Sequence, residues 1–235
     1  MKIQDMSWQD VDRYLLTDNR AVVPIGSCEQ HCGLSLATDA ILAERVSLDA
    51  AEPLGVPVFP ALAYGVTPYF MGFPGTVSLS ADTYLRLLTE ILASLATHGF
   101  QRLLVVNGHG GNSFAQQPVA AAIAERAPGV CVKWHNWWNA PATWAKVQAA
   151  DALAGHASWL ENFPWTRLPG TLNPNQCKPA LDMNQMRMLN PRQVRVRIGD
   201  GNLGGVYQMP DTVMLEIWRT GVEETRHALA AEWPQ

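Results

Sequence analysis

The sequence predicts an α/β fold in which a mainly parallel sheet is covered by helices on both faces. Short apolar runs that suit buried strands occupy residues 21–25, 56–59, 103–106 and 130–134. Most of the intervening segments carry apolar residues at helical spacing, and strands that alternate with helices generally lie parallel. A chain of 235 residues has the size of one large α/β domain, and we expect residues 1–235 to form a single domain.

The first part of the chain predicts two helices and two strands. Ser7 is placed to cap a helix that stops near Asp18, and the run 21–25 follows as a buried strand. Thr38 is placed to cap the second helix, and the second strand follows at 56–59. Residues 63–75 are rich in glycine, proline and aromatic residues, which predicts a long loop. Loops of this length in a compact domain are often functional.

The clearest helix begins at Ser80 and ends at Gly99. Its apolar residues repeat every three or four positions and form one face, made by Tyr84, Leu87, Leu88, Ile91, Leu92 and Leu95. The strand 103–106 then breaks into a glycine-dense turn that carries His109. An alanine-rich helix runs to about Arg126, with Pro118 tolerated near its start, and a fourth strand follows at 130–134.

The rest of the chain has weaker patterns. Residues 135–165 contain five tryptophans, a density typical of a recognition pocket or a subunit contact. Residues 168–191 have no periodicity and predict an extended loop. Residues 194–198 alternate and predict a short strand, and residues 212–233 predict a closing helix.

Composition and charge exclude several classes of partner. A net charge of −4 offers no basic surface for nucleic acid, and no window approaches the roughly 20 apolar residues of a membrane helix. Four cysteines and a start without an apolar leader predict reduced thiols and a cytoplasmic location. The hydrophobic content of 48% predicts that a partner subunit covers part of the surface, as in a homo-oligomer.

Side chains that can bind a metal follow two of the predicted strands. Glu29, His31 and Asp39 come after the strand 21–25, and His109 lies in the turn after the strand 103–106. Carboxylate oxygen and imidazole nitrogen suit zinc, manganese or iron. Taken separately, the acids also fit a helix terminus or the surface, and His109 also fits a turn histidine bonded to backbone. The carboxyl ends of parallel strands meet at one sheet edge, which favours a shared metal site.

A further pair, His156 and Glu161, lies in the tryptophan-rich segment. Five residues apart, they do not share a helical face, and they fit either surface polar groups or a loop that points both side chains inward. Glu161 would add a third carboxylate to the two carboxylates and two histidines above, and this set could hold two ions with Asp39 between them. Cys28 and Cys32 flank the Glu29 segment and are an alternative pair of zinc thiolates, although no second cysteine or histidine pair lies at ligand spacing.

Four segments in the same order resemble the creatininase family of metal-dependent amidohydrolases. They are residues 24–31 (PIGSCEQH), 38–39 (TD), 72–79 (GFPGTVSL) and 106–112 (VNGHGGN). The resemblance is dense from about residue 21 to residue 112 and thinner afterwards. It implies a three-layer αβα sandwich, a two-metal centre and hydrolysis of a C–N bond, and it implies a homo-oligomer, often a hexamer.

The resemblance also implies roles for single residues. By matching motif positions, Glu29, His31, Asp39 and His109 are expected to be metal ligands, with Asp39 bridging. The segment from His156 to Glu161 resembles a late family motif, which would make Glu161 a further ligand with a part in catalysis and His156 the catalytic proton shuttle. The expected substrate contacts are Trp138, Trp159, Phe73 and Gly110.

Three departures from the family pattern bear on the substrate and on the second metal site. The loop after His31 is one residue shorter and lacks a second histidine, and Gly111 stands where creatininase has a ligand glutamate. In the late motif, Trp159 replaces an acidic residue and Asn162 a threonine. These changes argue against creatinine as the substrate.

The predicted function is hydrolysis of a small amide by a water that one or two divalent ions (zinc, manganese or iron) activate, with His156 protonating the departing nitrogen. Other reactions remain open at a centre of this kind, including lactam opening, deformylation and cleavage of a small peptide. A different class also remains open, a metal-binding or ligand-binding subunit of a biosynthetic assembly without turnover.

Overall fold

The computed structural model describes residues 1–233. The helices are α1 (Trp8–Leu15), α2 (Thr38–Ala51), α3 (Ala81–Thr97), α4 (Gln116–Arg126), α5 (Pro141–Ala150), α6 (Met183–Arg187), α7 (Pro191–Ile198) and α8 (Asp211–Ala230). The strands are β1 (Arg20–Ile25), β2 (Arg102–Asn107), β3 (Cys131–Asn136), β4 (Cys177–Lys178) and β5 (Gly205–Val206).

The central sheet is parallel, with the strand order β1-β2-β3. The predicted strand at 56–59 lies at the outer edge of β1 as a shorter element. Val22 exchanges two backbone hydrogen bonds with it, donating to Pro57 at 3.0 Å and accepting from Phe59 at 2.9 Å. The pairing is parallel. The mainly parallel sheet that the sequence predicted is therefore confirmed. The segment 56–59, however, is a short bridge to β1 rather than a full strand.

The sheet divides the core into two layers because alternate strand residues point to opposite faces. Val22, Leu104 and Val106 pack against one group of helices, which includes α2 and α8. Ala21, Val23, Leu103 and Val105 pack on the other face against α3 and α4. These layers form the αβα sandwich that the sequence predicted.

Two of the three predicted helix caps are confirmed. Ser7 and Asp10 form a reciprocal capping box at α1, and the Ser80 hydroxyl accepts from the Thr83 amide at the start of α3. The third prediction is wrong, since Thr38 is the first residue inside α2. Its hydroxyl donates to the carbonyl of Ser35 at 2.6 Å instead of capping the helix.

The region after residue 168 differs most from the prediction. Residues 194–198 belong to helix α7, and the predicted loop 168–191 contains β4 and α6. Asn190 caps α7 and Pro191 occupies its first turn. This helix start signal outweighs the alternation of apolar and polar residues at 194–198, which predicted a strand. Val194 and Ile198, four residues apart, are buried, whereas Val196 is 84% exposed. The closing helix ends at Ala230, earlier than predicted.

Within residues 1–233, no helix combines the length and the apolar character that crossing a membrane requires. The single domain and the homo-oligomer stay predictions.

Candidate metal centre

Close packing of α2 against two strand ends creates the site. Gly26 follows β1 and Gly108 follows β2, and a Cβ on either glycine would collide with backbone atoms of Asp39 or Ala40 at the start of α2. The absence of side chains at these two glycines lets α2 approach the sheet edge. Asp39 therefore lies between the segment after β1 and the turn after β2.

Asp39 joins two groups of side chains. Its Oδ1 lies 3.0 Å from His31 Nε2, and its Oδ2 lies 3.0 Å from His109 Nδ1. Each histidine has a second carboxylate nearby: Glu161 Oε2 is 3.7 Å from His31 Nε2, and Glu29 Oε1 is 3.3 Å from His109 Nδ1. The result is two triads that share Asp39, Glu29-Asp39-His109 and His31-Asp39-Glu161, in which the ligand atoms lie within 4.8 Å of one another. A third group, Glu29-His31-His156, meets the same distance but does not include Asp39.

Three buried carboxylate oxygens in this cluster accept no hydrogen bond of good geometry from residues 1–233, although histidine rings lie close to them. Both oxygens of Glu29 and Oδ2 of Asp39 are buried without a hydrogen-bond partner among the described residues. The two residues are only 1% and 2% exposed. Burying an ionised carboxylate without compensation is costly, and a divalent cation compensates it directly. Oxygen and imidazole ligands in this number fit zinc, manganese or iron.

The electrostatics of the histidines agree with a cation site. Burial lowers the pKa of His31, but the carboxylates of Asp39 and Glu161 outweigh burial and raise its pKa well above the ordinary value. Burial likewise lowers the pKa of His109, while Glu29 and Asp39 raise it well above the ordinary value. Protons on these two rings balance the carboxylates, and a bound metal would displace them.

His156 and Glu161 both face this cluster, although the sequence left their orientation open. His156 Nδ1 lies 3.6 Å from Glu29 Oε1 and 3.9 Å from Glu161 Oε2. Ala157 between them has a φ of 59°, and its amide donates to Glu161 Oε2 at 2.6 Å. This left-handed residue turns the chain so that both side chains point inward.

Contacts on two sides hold the ring of His156. Its Nε2 lies 2.9 Å from the side-chain nitrogen of Gln30 and 3.0 Å from the Gln30 carbonyl oxygen. Phe70 stacks on the ring at a centroid distance of 4.8 Å. Burial, and then the charge of His31, lower the pKa of His156 below the ordinary value. The imidazole is therefore neutral near pH 7, with Nδ1 facing the carboxylates.

The cluster opens into a cavity of about 220 Å³, here called the inner cavity. Trp138 and Gly110, two of the predicted substrate contacts, line it. The structure places the other two elsewhere: Trp159 is fully buried and donates from Nε1 to Asp151 at 3.1 Å, and Phe73 packs against Phe70. A substrate in the inner cavity has no access to the buried indole of Trp159.

Several lining residues escaped the sequence reasoning, among them Tyr69, Phe70, Trp144 and Arg187. The length of the loop 63–75 indicates a functional segment, and this loop contains Tyr69 and Phe70. Trp144 belongs to the tryptophan-rich segment. Nothing local in the sequence singles out Arg187, which lies at the end of α6 within the predicted loop.

Neither position 111 nor the pair Cys28 and Cys32 supplies a candidate ligand. A Cβ on Gly111 would collide with the Val66 carbonyl and the His109 ring, so this position has no room for a ligand side chain. Glu161 supplies the further carboxylate instead. Among the described residues, none of the candidate ligand groups includes Cys28 or Cys32.

Comparisons with known proteins agree with this fold. The creatininase family model, described as creatinine amidohydrolase, matches residues 4–198. The mycofactocin precursor peptide peptidase of Mycolicibacterium smegmatis is 40% identical over 143 residues, covering 57% of this chain and 53% of that protein. The creatinine amidohydrolase of Pseudomonas putida is 31% identical over 131 residues, covering 52% and 50%. The chain thus spans about half the length of these curated relatives.

Solved structures support the fold independently. A crystal structure of creatinine amidohydrolase superposes with a TM-score of 0.76 at 22% identity, covering 100% of this chain and 98% of that one. Creatininase structures of the same fold include a manganese form and a Zn-Zn type.

Proposed function

The chain belongs to the creatininase family of hydrolases, and from that premise we propose that it is a two-metal hydrolase acting on an amide C–N bond. The observation that carries the proposal is the position of Asp39. Its two oxygens face two different histidines at 3.0 Å each, and each histidine has a further carboxylate beside it. A single carboxylate shared between two ligand groups is typical of a centre with two cations.

The ligand assignment follows from these contacts. Glu29, Asp39 and His109 would hold one divalent cation, and His31, Asp39 and Glu161 would hold the second. Cations in such a site act as Lewis acids toward a carbonyl oxygen and make water a stronger acid near neutral pH. Glu29 and Asp39 have buried carboxylate oxygens without a hydrogen-bond partner among residues 1–233. These two residues therefore contribute most of the free energy that favours cation binding.

His156 is the candidate for moving the proton. The lowered pKa keeps its imidazole neutral near pH 7, and in the tautomer whose Nε2–H donates to the Gln30 carbonyl, Nδ1 is able to accept a proton from the attacking water. Gln30 and Phe70 hold the ring in place, which keeps Nδ1 toward the reacting groups. The same nitrogen then donates the proton to the departing amine.

We propose a linear amide or short peptide as the substrate. The inner cavity alone, at about 220 Å³, is smaller than typical ligand pockets of roughly 300–1,000 Å³. It adjoins a second cavity of about 640 Å³, here called the outer groove, and both are lined by Tyr69, Gly110, Gly111 and Arg187. An extended substrate can place its scissile bond in the inner cavity and its remaining part in the groove. The peptidase relative at 40% identity supports the same choice.

The test combines metal analysis with a substrate panel. Protein purified without a chelating tag should contain up to two tightly held divalent ions per chain, and zinc, manganese or iron should restore activity to metal-free protein. Short peptides, formamides and cyclic amides form the panel. Absence of a tightly held ion, or a metal content unaffected by His109→Ala, would contradict the metal centre. Bound metal without turnover on any substrate would instead favour a binding subunit.

A further inference from the structure

We infer that Arg187 determines substrate specificity by binding a carboxylate of the substrate, an inference that rests on the proposed amide hydrolysis. Arg187 ends helix α6 and lines both the inner cavity and the outer groove. Among residues 1–233, it is the only lysine or arginine that lines either cavity. Arg187 therefore lies where the inner cavity adjoins the outer groove.

No described residue forms an ion pair with the guanidinium of Arg187. Arg187 forms no ion pair with a carboxylate of residues 1–233, although the arginines at positions 13, 20, 102, 167 and 226 all do. The carboxylates closest to the reaction site are those of Glu29, Asp39 and Glu161, which are committed to the histidine cluster. An arginine presents a planar fork of donors that matches a carboxylate in two parallel hydrogen bonds.

The backbone that carries Arg187 is anchored. Its neighbour Met186 is buried in a small cluster with Phe70, Val194 and Ile198. Asp182 caps the start of α6 by accepting from the Asn184 amide at 2.8 Å. Because Phe70 also stacks on His156, the same packing fixes the helix relative to the reaction site. An anchored arginine loses less conformational freedom on binding than one on a loose loop.

The outer groove indicates the rest of the substrate. Beyond the shared residues, Val66, Phe114 and Leu189 give it an apolar wall, and Phe114 is 41% exposed. The structure therefore fits an amide whose carboxylate pairs with Arg187 near the scissile bond and whose apolar side chains lie in the groove. An N-acylated amino acid or a short apolar peptide has this chemistry.

The test compares N-acetyl-Leu-Leu with a free carboxylate and as its C-terminal carboxamide. Calorimetry on the zinc-loaded protein measures binding, and chromatography follows hydrolysis separately. We expect the carboxylate form to bind about tenfold more tightly, the lower end of the range for a charge-assisted contact, because Arg187 is solvent-exposed. Arg187→Gln should bring the ratio of the two affinities near one, and Arg187→Lys should keep part of the preference. Circular dichroism checks that each variant is folded.

Arg197→Gln is the matched control, because Arg197 is an exposed arginine on the neighbouring helix α7 and lines neither cavity. It should keep the wild-type preference. Equal binding of the two forms to the wild-type protein, or a preference that survives in Arg187→Gln, would overturn the inference. A protein that binds the carboxylate through Arg187 but hydrolyses nothing would refute the proposed function and leave the carboxylate site standing.

Discussion

Replacing Asp39 by asparagine keeps the size of the side chain but leaves one oxygen where the cluster has two. Asp39 Oδ1 and Oδ2 each lie 3.0 Å from a histidine, His31 on one side and His109 on the other. The amide nitrogen of asparagine is a hydrogen-bond donor and a poor metal ligand. One of the two ligand groups therefore loses its shared member, and we expect the variant to hold one divalent ion or none.

The stability of the metal-free variant should also fall. Burial raises the pKa of Asp39, but His31 and His109 outweigh it and hold the pKa well below the ordinary value. A carboxyl with a lowered folded pKa stabilises the protein above its unfolded pKa of about 3.9, and the stabilisation is lost as the pH falls below that value. Breaking a buried pair costs about 3–5 kcal/mol. We expect about 3 kcal/mol at pH 7, since removing the charge also relieves repulsion from Glu29.

Three measurements check this prediction. Elemental analysis should show the ion content falling from two per chain to one or none. The rate on the best substrate should fall by about a thousandfold, which corresponds to several kcal/mol of lost charge stabilisation. Thermal unfolding of the metal-free proteins should show a Tm lower by roughly 6–12 °C, at about 2–4 °C per kcal/mol for a chain of this size.

Asp151→Asn is the control for a merely structural effect. Asp151 Oδ2 accepts from Trp159 Nε1 and from the Val206 amide, both at 3.1 Å, and does not line the inner cavity. Its replacement should lower the Tm while keeping both ions. An Asp39→Asn protein that retains two ions and the wild-type rate would refute the assignment of Asp39 as the shared ligand.

Three further predictions follow from the same contacts. His156→Gln should keep the metal content and lower kcat by about 10²- to 10⁴-fold, and loss of the ions would instead make His156 a ligand. Gly111→Ala should lower the free energy of unfolding by about 1–3 kcal/mol, because its Cβ would collide with the Val66 carbonyl. Gly110→Ala is the control and should lower it less, because a Cβ on Gly110 meets nothing closer than Trp138 at 3.9 Å. Zinc affinity should rise with pH, because the raised pKa values of His31 and His109 keep protons on these two rings at low pH. Zinc titrations at pH 6 and pH 8 should give affinities that differ by about tenfold per pH unit for each proton displaced. An affinity that does not change with pH would contradict this prediction.

Much of the fold was predictable because it depends on local pattern. The runs that became β1 and β2 are continuous apolar segments, and the Ser80 cap and the apolar repeat of α3 are strong signals over a few residues. Residues 194–198 show the limit of such patterns. Val194 and Ile198 satisfy both a strand alternation and a helical spacing of four, and the cap at Asn190 was the better guide.

Within the site, the proposed metal ligands and the cavity wall differ in how far the sequence reveals them. Glu29, His31, Asp39 and His109 have the right chemistry and follow strands whose ends must meet at one edge. Trp159 and Trp138 both belong to the tryptophan-rich segment, yet one packs in the core and the other faces the inner cavity. Whether a large aromatic side chain faces the core or a cavity depends on residues that are distant in the chain. A local sequence pattern contains no information about those residues.

The sequence alone therefore determined the order of strands and helices as far as β3, the sheet edge at which the candidate ligands gather and the residue types available there. These properties follow from backbone preference, from hydrophobic periodicity and from the geometry of parallel strands. Only the tertiary structure decided that Glu161 comes within 3.7 Å of His31, that Gly111 has no room for a side chain and that Arg187 lines both cavities without an ion-pair partner among residues 1–233. Each of these depends on contacts between segments far apart in the chain, where packing sets distances that sequence spacing does not.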